Sequence, residues 1–157
     1  RPDDVPAIAA IYGHAVRTSI ATFDLEVPGE QVWAARVDVS DDGEHVLVVE
    51  LDGEVAGYAY SSRFRPRPGY ARTRESSIYL APHAVGRRRG TALYRALLDL
   101  LRGDGIHVVM AVVALPNDAS VALHERCGFR RVGTLHEVGR KFDRWIDTAW
   151  YELLLEP

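Results

Sequence analysis

The chain has 157 residues, 47% hydrophobic and 26% charged, a composition that excludes disordered and collagen-like chains. Its length suits one ordinary domain with a proper core, and no apolar run approaches the roughly 20 residues that span a bilayer. With 19 Lys and Arg against 22 Asp and Glu the formal charge is −3, which argues against nucleic acid as the main partner, because phosphate binding favours a basic domain.

The sequence opens at Arg1 without a charged-then-apolar leader and carries one cysteine, Cys127, so a reducing, cytoplasmic setting is the expectation. Asp3, Asp4 and Pro6 start a helix, and Val5, Ile8, Ala9, Tyr12, Ala15 and Val16 recur at the three- and four-residue spacing of a buried helical face. After Pro28-Gly29, the positions of Val32, Trp33, Arg36 and Val37 predict a shorter helix that stops at Ser40-Asp41-Asp42-Gly43. Residues 45–51 are a β-rich run, Asp52-Gly53 is a hairpin signal, and Val55, Gly57 and Ala59 continue a second strand through Tyr60. Residues 63–74, with two prolines, a glycine and five arginines, predict an exposed loop. Residues 76–80 read as a buried strand ending at Pro82. Leu93, Leu97, Leu98 and Leu101 then form a helical stripe stopped by Gly103 and Gly105. The apolar run 108–115 predicts a central strand, and Asn117 or Asp118 caps a helix that ends at Gly128. Two strand-like runs then surround a loop over 139–144. This order predicts one α+β sheet with helices on its faces, and no linker divides it, so residues 1–157 are expected to form a single domain.

Two segments carry candidate chemistry. The first, PHAVGRRRG at 82–90, places a glycine- and arginine-containing turn before a helix, an arrangement that aims backbone N–H groups at an anion. It is neither a Walker motif nor a dinucleotide fingerprint. The second, LPNDASVALHERCGF at 115–129, follows the central strand. With the order of elements, these segments resemble the GNAT N-acetyltransferases, whose N-x-x-A/S-x-x-L-[YH]-E-x-x-G-F pattern is matched by Asn117, Ser120, Leu123, His124, Glu125, Gly128 and Phe129. Four further segments, TSIATF (18–23), GYARTRESSIYL (69–80), GTALYRALL (90–98) and KFDRWID (141–147), resemble the phosphinothricin and methionine-sulfoximine acetyltransferase branch. The sequence departs from the family in two places. An ungapped register puts Val85 at the Q/R position of the Q/R-x-x-G-x-G/A phosphate turn, Arg88 at its first glycine and Gly90 at its last, and a literal Arg87-x-x-Gly90-x-Ala92 match needs a two-residue slide. The short strand that usually precedes the first helix is expected to be missing from this sequence.

The resemblance implies the acyl-CoA N-acyltransferase fold, a central mixed, mostly antiparallel twisted sheet flanked by helices on both faces. It further implies direct attack of a substrate amine on acetyl-CoA, with Glu75 as general base and His124 where relatives protonate the leaving thiolate. Backbone N–H groups at Ile78, Tyr79 and Leu80 are expected to polarise the thioester carbonyl. CoA is expected to meet these residues together with Val85, Gly86, Arg87, Arg88, Arg89, Gly90 and Thr91, and with Asn117 and Ser120 on the following helix. For the acceptor, a small amino acid or analogue, the implied contacts are Phe23, Tyr70, Arg72 and Thr73, arginine suiting a carboxylate or phosphinyl oxygen. Lys141 and Trp145 are candidates for the pocket or the subunit contact of a homodimer. Read without the resemblance, Glu75 is a strand-end carboxylate paired with Arg72 or Arg74, His124 a packing residue, and the arginines a solvated loop. Cys127 reads as inert core. The six histidines are scattered and no H-E-x-x-H or paired cysteines occur, so no metal is expected. A catalytically weak acyl-CoA-binding module is the alternative function. An RNA-binding module using the arginine loop ranks third.

Overall fold

A computed structural model of the chain describes residues 1–39, 41–85 and 88–155. Helix α1 covers Val5–Thr18 after a 3-10 turn at Pro2–Asp4. Pro6 sits in its first turn, where a missing N–H breaks no helical hydrogen bond. The helix buries Val5, Ile8, Ala9, Tyr12 and Val16, the stripe that the periodicity predicts, but leaves Ala15 part-exposed. Helix α2, Glu30–Val37, is anchored by Trp33, while Val32, expected on the same face, is exposed. Strands β1 (Val46–Leu51) and β2 (Glu54–Arg63) are joined through Asp52 and Gly53, both at positive φ (52° and 84°). That is the mirror-image turn whose twist matches paired strands.

There follow β3 (Thr73–Leu80), α3 (Arg89–Gly103), β4 (Val108–Ala114), α4 (Asp118–Arg126), β5 (Arg130–Lys141) and β6 (Arg144–Leu154). The sheet order is β1-β2-β3-β4-β6-β5, and β3–β4 is its one parallel pairing among the described residues. The alternation of β2 and β3 sorts their side chains onto two faces. Tyr58 and Tyr79 pack with Tyr12 and Trp33 under α1 and α2, whereas Ala59, Ile78 and Leu80 pack with the leucine stripe of α3. Leu93, Leu97, Leu98 and Leu101 of that stripe are all buried, each such side chain contributing roughly 1.5–3 kcal/mol on leaving water.

Strand β2 runs on through Arg63, beyond the expected end at Tyr60, and two later boundaries also differ from the sequence expectation. The exposed loop ends earlier, because Thr73 and Arg74 already belong to β3. Arg74 is buried, its Nε donating to the Gly43 carbonyl (3.0 Å), Nη1 to that of Ala71 (2.9 Å) and Nη2 to that of Asp42. A planar fork with five donors satisfies these carbonyls where no strand neighbour can. The 139–144 loop shrinks to the two-residue turn Phe142-Asp143 (φ 50° and 57°), so Lys141 lies inside the β5–β6 ladder opposite Arg144.

Replacing Arg74 with methionine removes the guanidinium donor from the Ala71 and Asp42 carbonyls and leaves that of Gly43 with the Ser61 hydroxyl alone. A loss of about 2–4 kcal/mol in urea unfolding is expected, and a loss below about 0.5 kcal/mol would return Arg74 to the role of a solvated loop cation.

Candidate functional site

Strands β3 and β4 share only the pairs Thr73 with Val108, Arg74 with Val109 and Glu75 with Met110. Beyond Glu75 they part, and the space between them is a cleft of about 360 Å³. Residues 76–80 form one wall, Val112, Val113 and Ala114 another, and the end of α1 and the start of α4 close it. At the fork, the Ser76 hydroxyl shares a hydrogen bond with the Tyr94 hydroxyl (2.7 Å) and lies 3.3 Å from the Met110 carbonyl.

The ladder decides which peptide groups face this gap. The Ala81 N–H donates to the Ala56 carbonyl of the β2 side (2.9 Å), so alternation commits the peptide of Tyr79 to Tyr58 and turns those of Ile78 and Leu80 toward the departed β4. Two backbone donors therefore point into an opening where a neighbouring strand would normally receive them. Tyr79, expected as a third donor, instead sends its ring against Tyr12, with centroids 5.1 Å apart.

Glu75 stands at the last shared pair, on the α1 face. Burial pushes its carboxyl above the ordinary glutamate range, and the nearby Arg65 guanidinium pulls the other way. Arg65 has no carboxylate within salt-bridge distance among the described residues. Composition places it among the loop arginines and nothing marks it out. Only the β2–β3 register, which sets Ser62 opposite Glu75, brings its strand end to the site.

His124 is buried and lines the cleft. Its ring contacts Tyr94 (5.2 Å), Phe129 (5.3 Å) and Tyr151 (5.7 Å) between centroids, and its Nδ1 donates to the Ser120 carbonyl at 2.8 Å. Burial pushes its pKa down and that hydrogen bond opposes the shift. Burial thus favours the neutral imidazole, in which Nδ1 carries the proton and Nε2 is the acceptor. The ring is both packed among aromatic side chains and part of the cleft wall. Asn117 caps α4, its Oδ1 accepting the Ser120 N–H (3.1 Å), and both residues line the cleft. Cys127, at the end of α4, has its thiol pushed up by burial against the opposing charges of Arg95 and Arg126, and so stays protonated.

Leu80, Val85, Ala119 and Leu123 also line a second groove, so the cleft continues between α3 and α4. Arg88, Arg95 and Arg126 border it, and none of them forms an ion pair among the described residues. Gly90 and Thr91, in the first turn of α3, lie on the same groove. Arg89 carries a buried Nη1 with no partner among the described residues. Arg88 is the N-cap of α3 at φ 57°, the left-handed conformation that glycine adopts most readily. The backbone path of a glycine turn is therefore present without the glycine. Gly86 and Arg87, expected in this turn, lie outside the described residues.

The four expected acceptor contacts do not line the cleft. Phe23 packs its ring against Gly139 of the β5–β6 hairpin, and Tyr70 is exposed beside Phe64. Thr73 pairs with Val108 at the end of β3 away from the opening. Arg72 donates to the Asp104 carbonyl (2.9 Å) beyond α3, and its own carbonyl accepts from His107 (2.9 Å). Its Nη1 thus joins β3 to the α3–β4 connection, away from the cleft.

The model of the acetyltransferase (GNAT) family matches residues 9–129. The chain is 44% identical to a phosphinothricin N-acetyltransferase of Streptomyces coelicolor, over 96% of this chain and 90% of that protein. It is 36% identical to an L-methionine sulfoximine/L-methionine sulfone acetyltransferase of Pseudomonas paraeruginosa, over 98% and 91% respectively. Among solved structures it resembles a GNAT superfamily phosphinothricin acetyltransferase of Sinorhizobium meliloti in complex with AcCoA, with TM-score 0.93 and 34% identity over 99% of this chain and 85% of that one.

Removing Arg65 takes away the charge that favours the ionised form of Glu75, so Arg65→Gln is expected to move its pKa further up. Carboxyl-carbon NMR titration of both proteins checks this, and an unchanged or lowered midpoint would mean that Arg65 does not act on Glu75.

Proposed function

Because the chain belongs to the acetyltransferase (GNAT) family and is an N-acetyltransferase, we propose that it transfers acetyl from acetyl-CoA to the α-amine of a small amino acid or analogue of the phosphinothricin or methionine sulfoximine kind. The observation that carries this reading is the fork itself: two inward-facing peptide N–H groups on one wall and a desolvated carboxylate where the strands part.

The donor set fits acetyl-CoA. The continuous cleft and groove offer apolar walls at Leu80, Val85 and Leu123, and then cations at Arg88, Arg95 and Arg126 where a pyrophosphate requires them. Acetyl-CoA supplies the activated acetyl thioester. The N–H groups of Ile78 and Leu80 donate to an oxygen seated in the gap, already aimed there by the ladder. Glu75 takes the proton of the attacking amine, its raised pKa making it a stronger base than an exposed glutamate. His124 lines the cleft with Nε2 as its acceptor nitrogen, so it can take the proton that the amine nitrogen sheds once the N–C bond has formed and, as an imidazolium of lowered pKa, pass that proton to the departing sulfur. Arg65, beside Glu75 and without a carboxylate partner among the described residues, suits the acceptor's own carboxylate. Arg88 in the left-handed conformation supports catalysis over the weak-binding alternative, since its backbone follows the glycine path.

Residues 1–157 are read as one cytoplasmic catalytic domain, acting as a homodimer. The apolar side chains of Val138, Phe142 and Trp145 stand exposed at the β5–β6 hairpin, on an edge that a second copy would cover.

Thiol release from acetyl-CoA with phosphinothricin, methionine sulfoximine, methionine sulfone, ordinary amino acids and polyamines tests the substrate class. Turnover with the first three only is the expected outcome. Glu75→Gln is expected to lower kcat/KM by about 10²–10⁴-fold, and turnover within threefold of the parent would remove Glu75 as the base.

A further inference from the structure

Lys141 is a buried cation that the proposed chemistry does not use. It is 3% exposed at the end of β5. Its ammonium donates to the Thr22 carbonyl at 2.7 Å and lies 5.3 Å from the centroid of the Phe142 ring. Burial pushes its pKa down and the charge of Asp24 pulls it back up. Taking an ammonium out of water costs several kcal/mol unless its surroundings repay it, so the position needs a reason.

The reason lies in what Thr22 belongs to. Residues 19–24 follow α1, and Ser19 and Ala21 line the cleft. Ile20, between them, is buried with Ala114 and Ile146, the first at the cleft end of β4 and the second in β6. This wall has no strand or helix ladder of its own. It is tied from α1 by the Tyr12 hydroxyl, 2.7 Å from both Thr22 Oγ1 and Asp24 Oδ2. It is tied from β3 by the Tyr79 hydroxyl, which donates to the Ala21 carbonyl at 3.3 Å. The third tie is Lys141, reaching across from β5. The Phe23 ring seats the same segment on the hairpin so closely that a Cβ at Gly139 would come within 2.3 Å of its Cζ.

We propose that Lys141 is a positioning residue for the acceptor: through the Thr22 carbonyl it fixes the 19–24 wall of the cleft at the distance from which the amine approaches the fork, without touching substrate itself. This rests on the N-acetyltransferase reading above and adds to it that the acceptor reaches the fork past residues 19–24, whose Ser19 and Ala21 line the cleft. It assigns to β5, an edge strand remote from the fork, a part in how tightly the small substrate is held.

The full-length protein with Lys141→Met, which matches the length of the side chain without its charge, provides the test. Amide hydrogen exchange in residues 20–24 is expected to quicken at least tenfold, with β3 and β4 unchanged. The KM for the acceptor is expected to rise about tenfold while the KM for acetyl-CoA stays within twofold, and Lys141→Arg is expected to recover part of the loss. Should Lys141→Met fold poorly, Lys141→Gln, which keeps a shorter uncharged donor, carries the same comparison. Unchanged exchange in 20–24 overturns the proposal whatever the kinetics. So does an equal rise in both KM values, which marks a general structural role. If no acceptor in the panel is turned over, the substrate reading fails, while the exchange data still judge the tie between Lys141 and the wall.

Discussion

The site depends on a requirement that every strand edge must meet: a peptide N–H or carbonyl taken from water needs a partner. Strand β3 is paired with β2 from Arg74 to Leu80, and β4 with β6 throughout, so each can abandon the other after Glu75 without unravelling. What remains unpaired is confined to the facing edges beyond the fork. The Ser76 and Tyr94 hydroxyls brace the point of separation, and the packing of Ile78 and Leu80 on the α3 core keeps the β3 edge straight as it leaves its neighbour. Donors held by the ladder in this way are oriented toward the opening before any ligand arrives.

Around that opening the protein sets its charges by burial rather than by number. Glu75 is shifted up and His124 down, each toward its neutral form. Six of the arginines fall into three groups. Arg72 and Arg74 donate to backbone carbonyls, the charge of Arg65 opposes the burial shift of Glu75, and Arg88, Arg95 and Arg126 border the groove. A net charge of −3 conceals this partition entirely.

The elements were legible because their signals are local. The Asp52-Gly53 turn, the α3 leucine stripe and the Asn117 cap each need only a few neighbouring residues to be recognised, and each stands where the pattern put it. The arginine loop was read less well because composition cannot distinguish a solvated guanidinium from one that donates to carbonyls as far as 32 positions away. Arg65 and Lys141 were obscure for a related reason. Their meaning comes from partners on other elements, Glu75 through a strand register and Thr22 through a contact spanning 119 positions. The burial that lowers the His124 pKa likewise comes from packing against rings on other elements, Tyr94 and Tyr151 among them, which nothing in the α4 sequence announces.

The strand order β4-β6-β5 carries a consequence for how the chain reaches this structure. Strand β6 is made after β5 yet lies between it and β4, so no hairpin-by-hairpin growth can complete the centre of the sheet. While the polypeptide emerges from a ribosome, the outer edge of β4 stays open until residues 144–154 appear, and β5 has no sheet to join before then. Pairings of such long sequence separation are slow to form, and an open apolar edge such as 108–114 invites association with other chains in the interval. The β5–β6 hairpin, closing through Phe142-Asp143 before it docks, shortens that interval by delivering both strands together.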